Sequence, residues 1–144
     1  MVINYLDNMN NKKLTIYTDG GARGNPGPAG IGCVLYDKDK NIVAEISEYI
    51  GEATNNQAEY KAVIAAIKKA KELGAEELEF YLDSELVVRQ LNREYKVKNK
   101  ELAPLFVQIY NAVLGFKKVS FNHIRREMNE EADRLANKAM DKGI

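Results

Sequence analysis

Four acidic residues stand where a solvated carboxylate has little reason to be. Asp19 closes the alternating segment LTIYTDG (14–20), and Asp83 closes LEFYLD (78–83). Glu59 falls in the first turn of a helical repeat, in line with the inward-facing Ala62 and Val63, and Asp133 falls between the apolar helical positions 132 and 136. Each alone has an ordinary explanation. Asp after a strand is a turn residue, and an acid in a first helical turn is a partner for the helix dipole. Gathered together, carboxylates repel by ~1 kcal/mol per pair in water and several times that in a drier site. A cluster of four therefore makes physical sense mainly around a cation. With one cysteine, Cys33, and one histidine, His123, neither a cysteine cage nor a multi-histidine site is open to this chain. Oxygen ligands select Mg²⁺ or Mn²⁺ rather than zinc. Two such ions ~4 Å apart can activate a water and stabilise a leaving oxygen, which suits phosphodiester hydrolysis.

The elements that must position these acids are legible from periodicity. Residues 14–20, 31–37 and 42–51 alternate as strands and predict a three-stranded antiparallel meander. The segment GGARGNPGPAG (20–30), rich in glycine and proline, reads as the first turn, and residues 37–41 as the second. From Gln57 to Leu73 the apolar positions recur at helical spacing, with Asn55 or Asn56 as cap and Gly74 as stop. A strand over 78–83, a short helix over 85–91 capped by Ser84, a helix from Leu102 to Leu114, a strand over 119–124 and a final helix capped by Asn129 complete the order βββαβααβα. That order predicts an α/β fold with a five-stranded mixed sheet flanked by helices. Ligand sites in such sheets form at the carboxyl ends of parallel strands, near a switch in strand order. Asp19 and Asp83 meet there if the first and fourth strands pair in parallel.

Composition sets the outer limits. The chain has 144 residues, 45% hydrophobic and 29% charged, which fits one domain with a real core. We expect residues 1–12 to be a flexible tail and 13–144 a single domain. The 21 basic and 21 acidic residues cancel, which argues against capture of nucleic acid by bulk positive charge. No run approaches the length of a membrane span. The start lacks the basic-then-apolar pattern of a signal peptide. A cytoplasmic location is the natural expectation.

The strings YTDGGARGNPGPAGIG, TNNQAEYKA, YLDSELVV and NEEADRLAN resemble type 1 ribonuclease H, in order and with the successive acids 40, 24 and 50 residues apart. The resemblance spans roughly residues 13 to 141. It implies the ribonuclease H-like fold and a metal-dependent endonuclease acting on the RNA strand of RNA–DNA hybrids. Asp19, Glu59, Asp83 and Asp133 then stand as the catalytic carboxylates holding two Mg²⁺ or Mn²⁺ ions. Gly20, Gly21, Arg23 and Asn25 lie along the RNA strand, and Thr54, Asn55 and Asn56 contact both strands, including the 2′-hydroxyl that marks RNA. The products implied are 5′-phosphate and 3′-hydroxyl ends.

Three departures qualify the resemblance. Glu85 stands where many members carry a substrate-contacting glutamine. The basic segment 92–100 is short, keeping Arg93, Lys96, Lys98 and Lys100, which read equally well as a solvated loop. His123 has the spacing of the family's mobile histidine, but Val119–Phe121–His123 alternate as a strand, so Arg125 and Arg126 compete for its role. The expectation is a monomeric enzyme on RNA–DNA hybrid with no membrane and no obligate protein partner. Broader use of double-stranded RNA or a retroelement-type domain is the in-family alternative. A catalytically silent binding module would be expected to have lost one of the four acids.

Overall fold

The computed structural model describes residues 10–143. Five strands, β1 (Lys13–Ala22), β2 (Gly27–Tyr36), β3 (Ile42–Ala53), β4 (Glu77–Leu82) and β5 (Lys118–His123), form one mixed sheet. Their order is β3-β2-β1-β4-β5. β1 and β3 run antiparallel to β2, whereas β4 is parallel to β1 and to β5. Among the described residues four helices accompany them: α1 (Asn55–Glu72), α2 (Glu85–Leu91), α3 (Ala103–Val113) and α4 (Glu130–Gly143). A single 3₁₀ turn, Arg126–Met128, precedes α4. This is the predicted order and sheet class.

The alternation along β1 decides the two faces. Leu14 and Ile16 are fully buried in the main core with Phe80 and Leu82 of β4, Tyr60 and Val63 of α1, and Ile109 of α3. Burying each large apolar side chain contributes about 1.5–3 kcal/mol, so this face anchors α1 on the sheet. Cys33 lies in the same layer and donates to the Ala62 carbonyl at 3.3 Å. On the opposite face α4 packs over β2, and Ser47 Oγ donates to the Leu135 carbonyl at 2.7 Å.

Several local boundaries differ from the sequence reading. The glycine-rich turn is shorter than 20–30, because β1 runs on to Ala22 and β2 starts at Gly27. Gly20, Gly21 and Ala22 pair with Ile31, Gly30 and Ala29 in the ladder. Glycines that look like turn residues are here close-approach residues inside strands. A Cβ on Gly32 would stand 2.6 Å from the Ala136 nitrogen, and one on Gly30 2.7 Å from the Ala136 carbonyl oxygen. α4 thus lies directly on β2. The cap of α1 is Thr54, not Asn55 or Asn56. Its hydroxyl accepts from Gln57 N–H at 3.1 Å, while Gln57 Oε1 accepts from Thr54 N–H at 2.8 Å. This reciprocal pair satisfies two backbone donors that the helix leaves free. Because α1 starts at Asn55, Glu59 lies beyond its first turn, which holds no acid. The dipole explanation for Glu59 therefore falls away. Residues 1–9 of the expected tail lie outside the described residues, and the Lys12 carbonyl accepts from the N–H groups of Glu76 and Glu77 at 2.8 and 2.9 Å.

Candidate active site

The parallel ladder between β1 and β4 ends at the pair Tyr17–Tyr81. Beyond it the chain delivers Asp19 at the end region of β1 and Asp83 just after β4. This is the point where strand order switches direction. Ligand atoms of Asp19, Glu59 and Asp83 lie within 4.8 Å of one another. Asp133, in the first turn of α4, lies near enough to help raise the Asp19 carboxyl. All four line one cavity of about 410 Å³ together with Gly20, Gly21, Arg23, Asn55, Asn56, Ser84 and Arg126.

Two glycine contacts make the convergence possible. A Cβ on Gly20 would overlap the Ala58 carbonyl and stand 2.6 Å from Glu59 N. α1 is therefore seated on β1 just where Glu59 leaves the helix. Gly32, the ladder partner of Asp19, lets α4 bring Asp133 down on the other face. Asp19 is 8% exposed and Glu59 6%.

Electrostatics follow from this crowding. Burial, then the Asp83 charge, pushes the Asp19 carboxyl up to about 7. Glu59 is driven well above the ordinary carboxylate range by burial first and by the charges of Asp19 and Asp83 next, while the Gly20 N–H opposes the shift. Burial and the nearby Glu59 and Asp19 charges also push the Cys33 thiol up, so it stays protonated beneath the site. Glu59 Oε2 is buried with no hydrogen-bond partner among the described residues. A buried, unpartnered carboxyl oxygen that faces other carboxylates fits a cation, which would favour its ionised form. The donor set, all oxygen, fits Mg²⁺ or Mn²⁺.

The remaining expected residues separate into two groups. Asn55 Oδ1 accepts from Ala22 N–H at 2.9 Å, and Asn25 Oδ1 accepts from Asn55 N–H at 3.1 Å. This pair locks the 23–26 turn against the start of α1. Arg23 is ion-paired with Asp141 and reaches the Asn137 carbonyl at 3.5 Å, which holds the turn against α4. Thr54 spends its hydroxyl on the cap. Arg126 lines the cavity, but Arg125, His123 and Glu85 do not. His123 is the exposed last residue of β5, in register with Leu82. Glu85 accepts from Arg89 Nε at 3.0 Å along α2. In the basic segment 92–100, Arg93 sits over the Tyr110 ring at 5.2 Å, and the three lysines are exposed.

Sequence reasoning missed the use made of Asn129. Its side chain does not cap α4. The amide donates to the Thr18 carbonyl at 2.9 Å and to Asp83 Oδ2 at 3.1 Å. No sequence pattern distinguishes this from a cap, because asparagine before a helix serves both.

The likeness to known proteins agrees with this geometry. A family model described as reverse transcriptase-like matches residues 17–139. A ribonuclease H of Desulforamulus reducens is 32% identical over 149 residues, covering 93% of this chain and 91% of that protein. The chain belongs to the ribonuclease H family. A second ribonuclease H relative by structure, LC11-RNase H1 crystallised in complex with an RNA/DNA hybrid, superposes with a TM-score of 0.87 at 47% identity, covering 90% of this chain and 98% of that one. A bifunctional protein of Mycobacterium tuberculosis is 45% identical over 130 residues. The match covers 90% of this chain but spans 36% of the mycobacterial protein's length. The ribonuclease H fold and its family membership thus rest on matches over nearly the whole chain. Among the described residues no helix is long and apolar enough to cross a membrane.

Proposed function

We propose that this chain is a metal-dependent endoribonuclease that hydrolyses the RNA strand of RNA–DNA hybrids. The observation that carries the reading is the meeting of Asp19, Glu59 and Asp83, from three separate elements, within 4.8 Å around a buried and unpartnered Glu59 Oε2. Asp133 completes the set across the cavity. These four residues would hold two ions, Mg²⁺ or Mn²⁺, which when bound supply a nucleophilic water at neutral pH and stabilise charge on the leaving oxygen.

The chain's own residues do the rest. The Gly20 N–H favours the ionised form of the Glu59 carboxylate. The Asn25–Asn55 lock leaves the backbone of Gly20 and Gly21 lining an open cavity, where a sugar–phosphate strand can approach closely. Arg126, an exposed cation on the cavity rim, is placed to hold a phosphate oxygen. Asn56, at the start of α1, adds the donor-rich N-terminus of a helix. Hydrolysis by in-line water attack leaves 5′-phosphate and 3′-hydroxyl ends. In this reading residues 13–144 act as one monomeric domain with no obligate protein partner. The free, buried Cys33 fits a reducing cytoplasm.

The test is direct. Labelled RNA–DNA hybrid, RNA duplex and DNA duplex are incubated with the protein with and without Mg²⁺, and product ends are typed by ligation and phosphatase sensitivity. The expected result is Mg²⁺-dependent cleavage of the RNA in the hybrid, with 5′-phosphate ends. Equal cleavage of RNA duplex would move the assignment to broader double-stranded RNA use. Absence of cleavage with Mg²⁺, and with Mn²⁺ in its place, would remove the enzymatic reading.

A further inference from the structure

We propose that Asn129 is a positioning residue that sets where Asp83 stands relative to Asp19; the inference rests on the hydrolytic reading above. The parallel ladder of β1 and β4 stops at Tyr17–Tyr81, and the two strands part so that Asp19 and Asp83 can emerge into the cavity. The Asn129 amide fills that parting. Its one nitrogen carries two N–H donors, and both have a partner: the carbonyl of Thr18 at 2.9 Å and Oδ2 of Asp83 at 3.1 Å. One nitrogen therefore ties the main chain next to Asp19 to the carboxylate of Asp83.

The same residue also fixes the third side of the site. Asn129 N–H donates to the Arg126 carbonyl at 3.0 Å, and its own carbonyl accepts from Asp133 N–H at 3.1 Å. Asn129 is 1% exposed, so its side chain has no water to exchange partners with. Its Oδ1 is buried with no partner among the described residues. An unpaired buried oxygen is an expense in stability, and a residue kept only for packing would avoid it. The arrangement makes sense when the two donors are what is needed. One takes a lone pair of Asp83 Oδ2 while the other holds the Thr18 carbonyl, so the carboxylate is oriented against the main chain next to Asp19. Removing a partner that orients a metal-ligating carboxylate typically costs ~10–100-fold in metal affinity or activity.

The test uses Asn129→Ala and Asn129→Ser beside the wild type. Two readouts are followed: the rise in Tm with Mg²⁺, and hybrid hydrolysis against Mg²⁺ concentration below the lowest Tm. For Asn129→Ala we expect the Mg²⁺ needed for half-maximal hydrolysis to rise ~10-fold or more, with the Mg²⁺-induced rise in Tm cut accordingly. KM for the hybrid should stay close to wild type. Asn129→Ser, which keeps one O–H donor, should fall between. A lowered Tm without Mg²⁺, combined with a wild-type Mg²⁺ midpoint and Mg²⁺-induced shift, would overturn the proposal and leave Asn129 a stabilising residue only. A wild type that shows the Mg²⁺ shift but cleaves no hybrid would sink the ribonuclease reading, while the Tm comparison still decides the role of Asn129. Should neither variant melt cooperatively, the wild-type chain is titrated with Mg²⁺ by NMR. The Asn129 side-chain amide resonances should then move at the midpoint of the Asp83 backbone amide. An unmoved Asn129 amide at saturation overturns the proposal.

Discussion

Gly20 and Ala58 approach so closely that no side chain fits between them: a β-carbon on Gly20 would overlap the Ala58 carbonyl and lie 2.6 Å from Glu59 N. Strand β1 and helix α1 therefore touch backbone to backbone at the residues that carry Asp19 and Glu59. Gly20→Ala should push α1 off the strand. Forcing atoms into a packed site costs about 1–3 kcal/mol, and a misplacement of ~1 Å at a reacting centre can cost ~100-fold in rate. We expect a Tm lower by several degrees and kcat on hybrid lower by ~100-fold when assayed well below that Tm. Thermal melting by circular dichroism and steady-state hydrolysis check both. A normal kcat in Gly20→Ala would show that the contact is not needed to place Glu59.

The metal-free protein should lose stability as pH rises from about 4 to about 7. The Asp19 carboxyl is raised from its ordinary 3.8 to about 7, chiefly by burial and then by Asp83. Within that window the folded chain keeps a proton that the unfolded chain has already released. Stability from this group is fully present below the unfolded value and is gone above the folded one. Glu59, raised for the same reasons, adds in the same direction. The effect should amount to on the order of a few kcal/mol at most. Denaturant titrations in chelator at pH 5 and pH 8 measure it. Asp19→Asn should flatten the slope, abolish hydrolysis, and melt at or above the wild-type Tm at pH 8. Near-normal turnover in Asp19→Asn would remove it from the catalytic set.

Mg²⁺ should reverse that destabilisation. An ion bound by the folded state alone stabilises by mass action, about 2.7 kcal/mol at a concentration 100 times its Kd. Glu59→Gln removes one charged ligand from the cluster and should shrink the Mg²⁺-induced rise in Tm to less than half that of the wild type. Differential scanning calorimetry with Mg²⁺ from zero to millimolar concentrations provides the comparison. An identical rise in the variant would place the ion elsewhere.

Arg126 lines the carboxylate cavity, whereas His123 ends β5 outside that lining. Arg126→Ala should therefore lower kcat/KM on hybrid by ~10-fold or more, since a charge-assisted hydrogen bond is worth about 1.5–3 kcal/mol. Arg125→Ala and His123→Ala should change it less than threefold. The three variants are assayed for kcat, KM and Tm together. A loss of ~100-fold in kcat for His123→Ala, the size typical of a positioned acid–base group, with unchanged Tm and no effect in Arg126→Ala, would reverse this assignment.

Residue types and their periods already marked Asp19, Asp83 and Asp133 as acids at the ends of elements and Glu59 as an acid on an apolar helix face. That information is local: a strand turns its side chains by period two and a helix by 3.6, so a misplaced charge shows in one dimension. Leu14 and Ile16, or Ala62, Val63 and Ala66, declare their buried faces in the same way. Long-range contacts decided the rest. Gly30 reads as a turn residue and Gly32 as an ordinary strand position, yet α4 lies directly on both. Thr54 took the cap from Asn55 because Gln57 could answer its backbone and because Asn55 was drawn to Ala22 across the turn. Asn129 read as a cap, yet its amide bridges Thr18 and Asp83 across 111 and 46 residues of chain. Sequence period records which way a side chain points relative to its own element. Which elements approach, how closely, and which single donor fills the space where two strands part are set by packing between segments distant in the chain, and only the tertiary structure holds that.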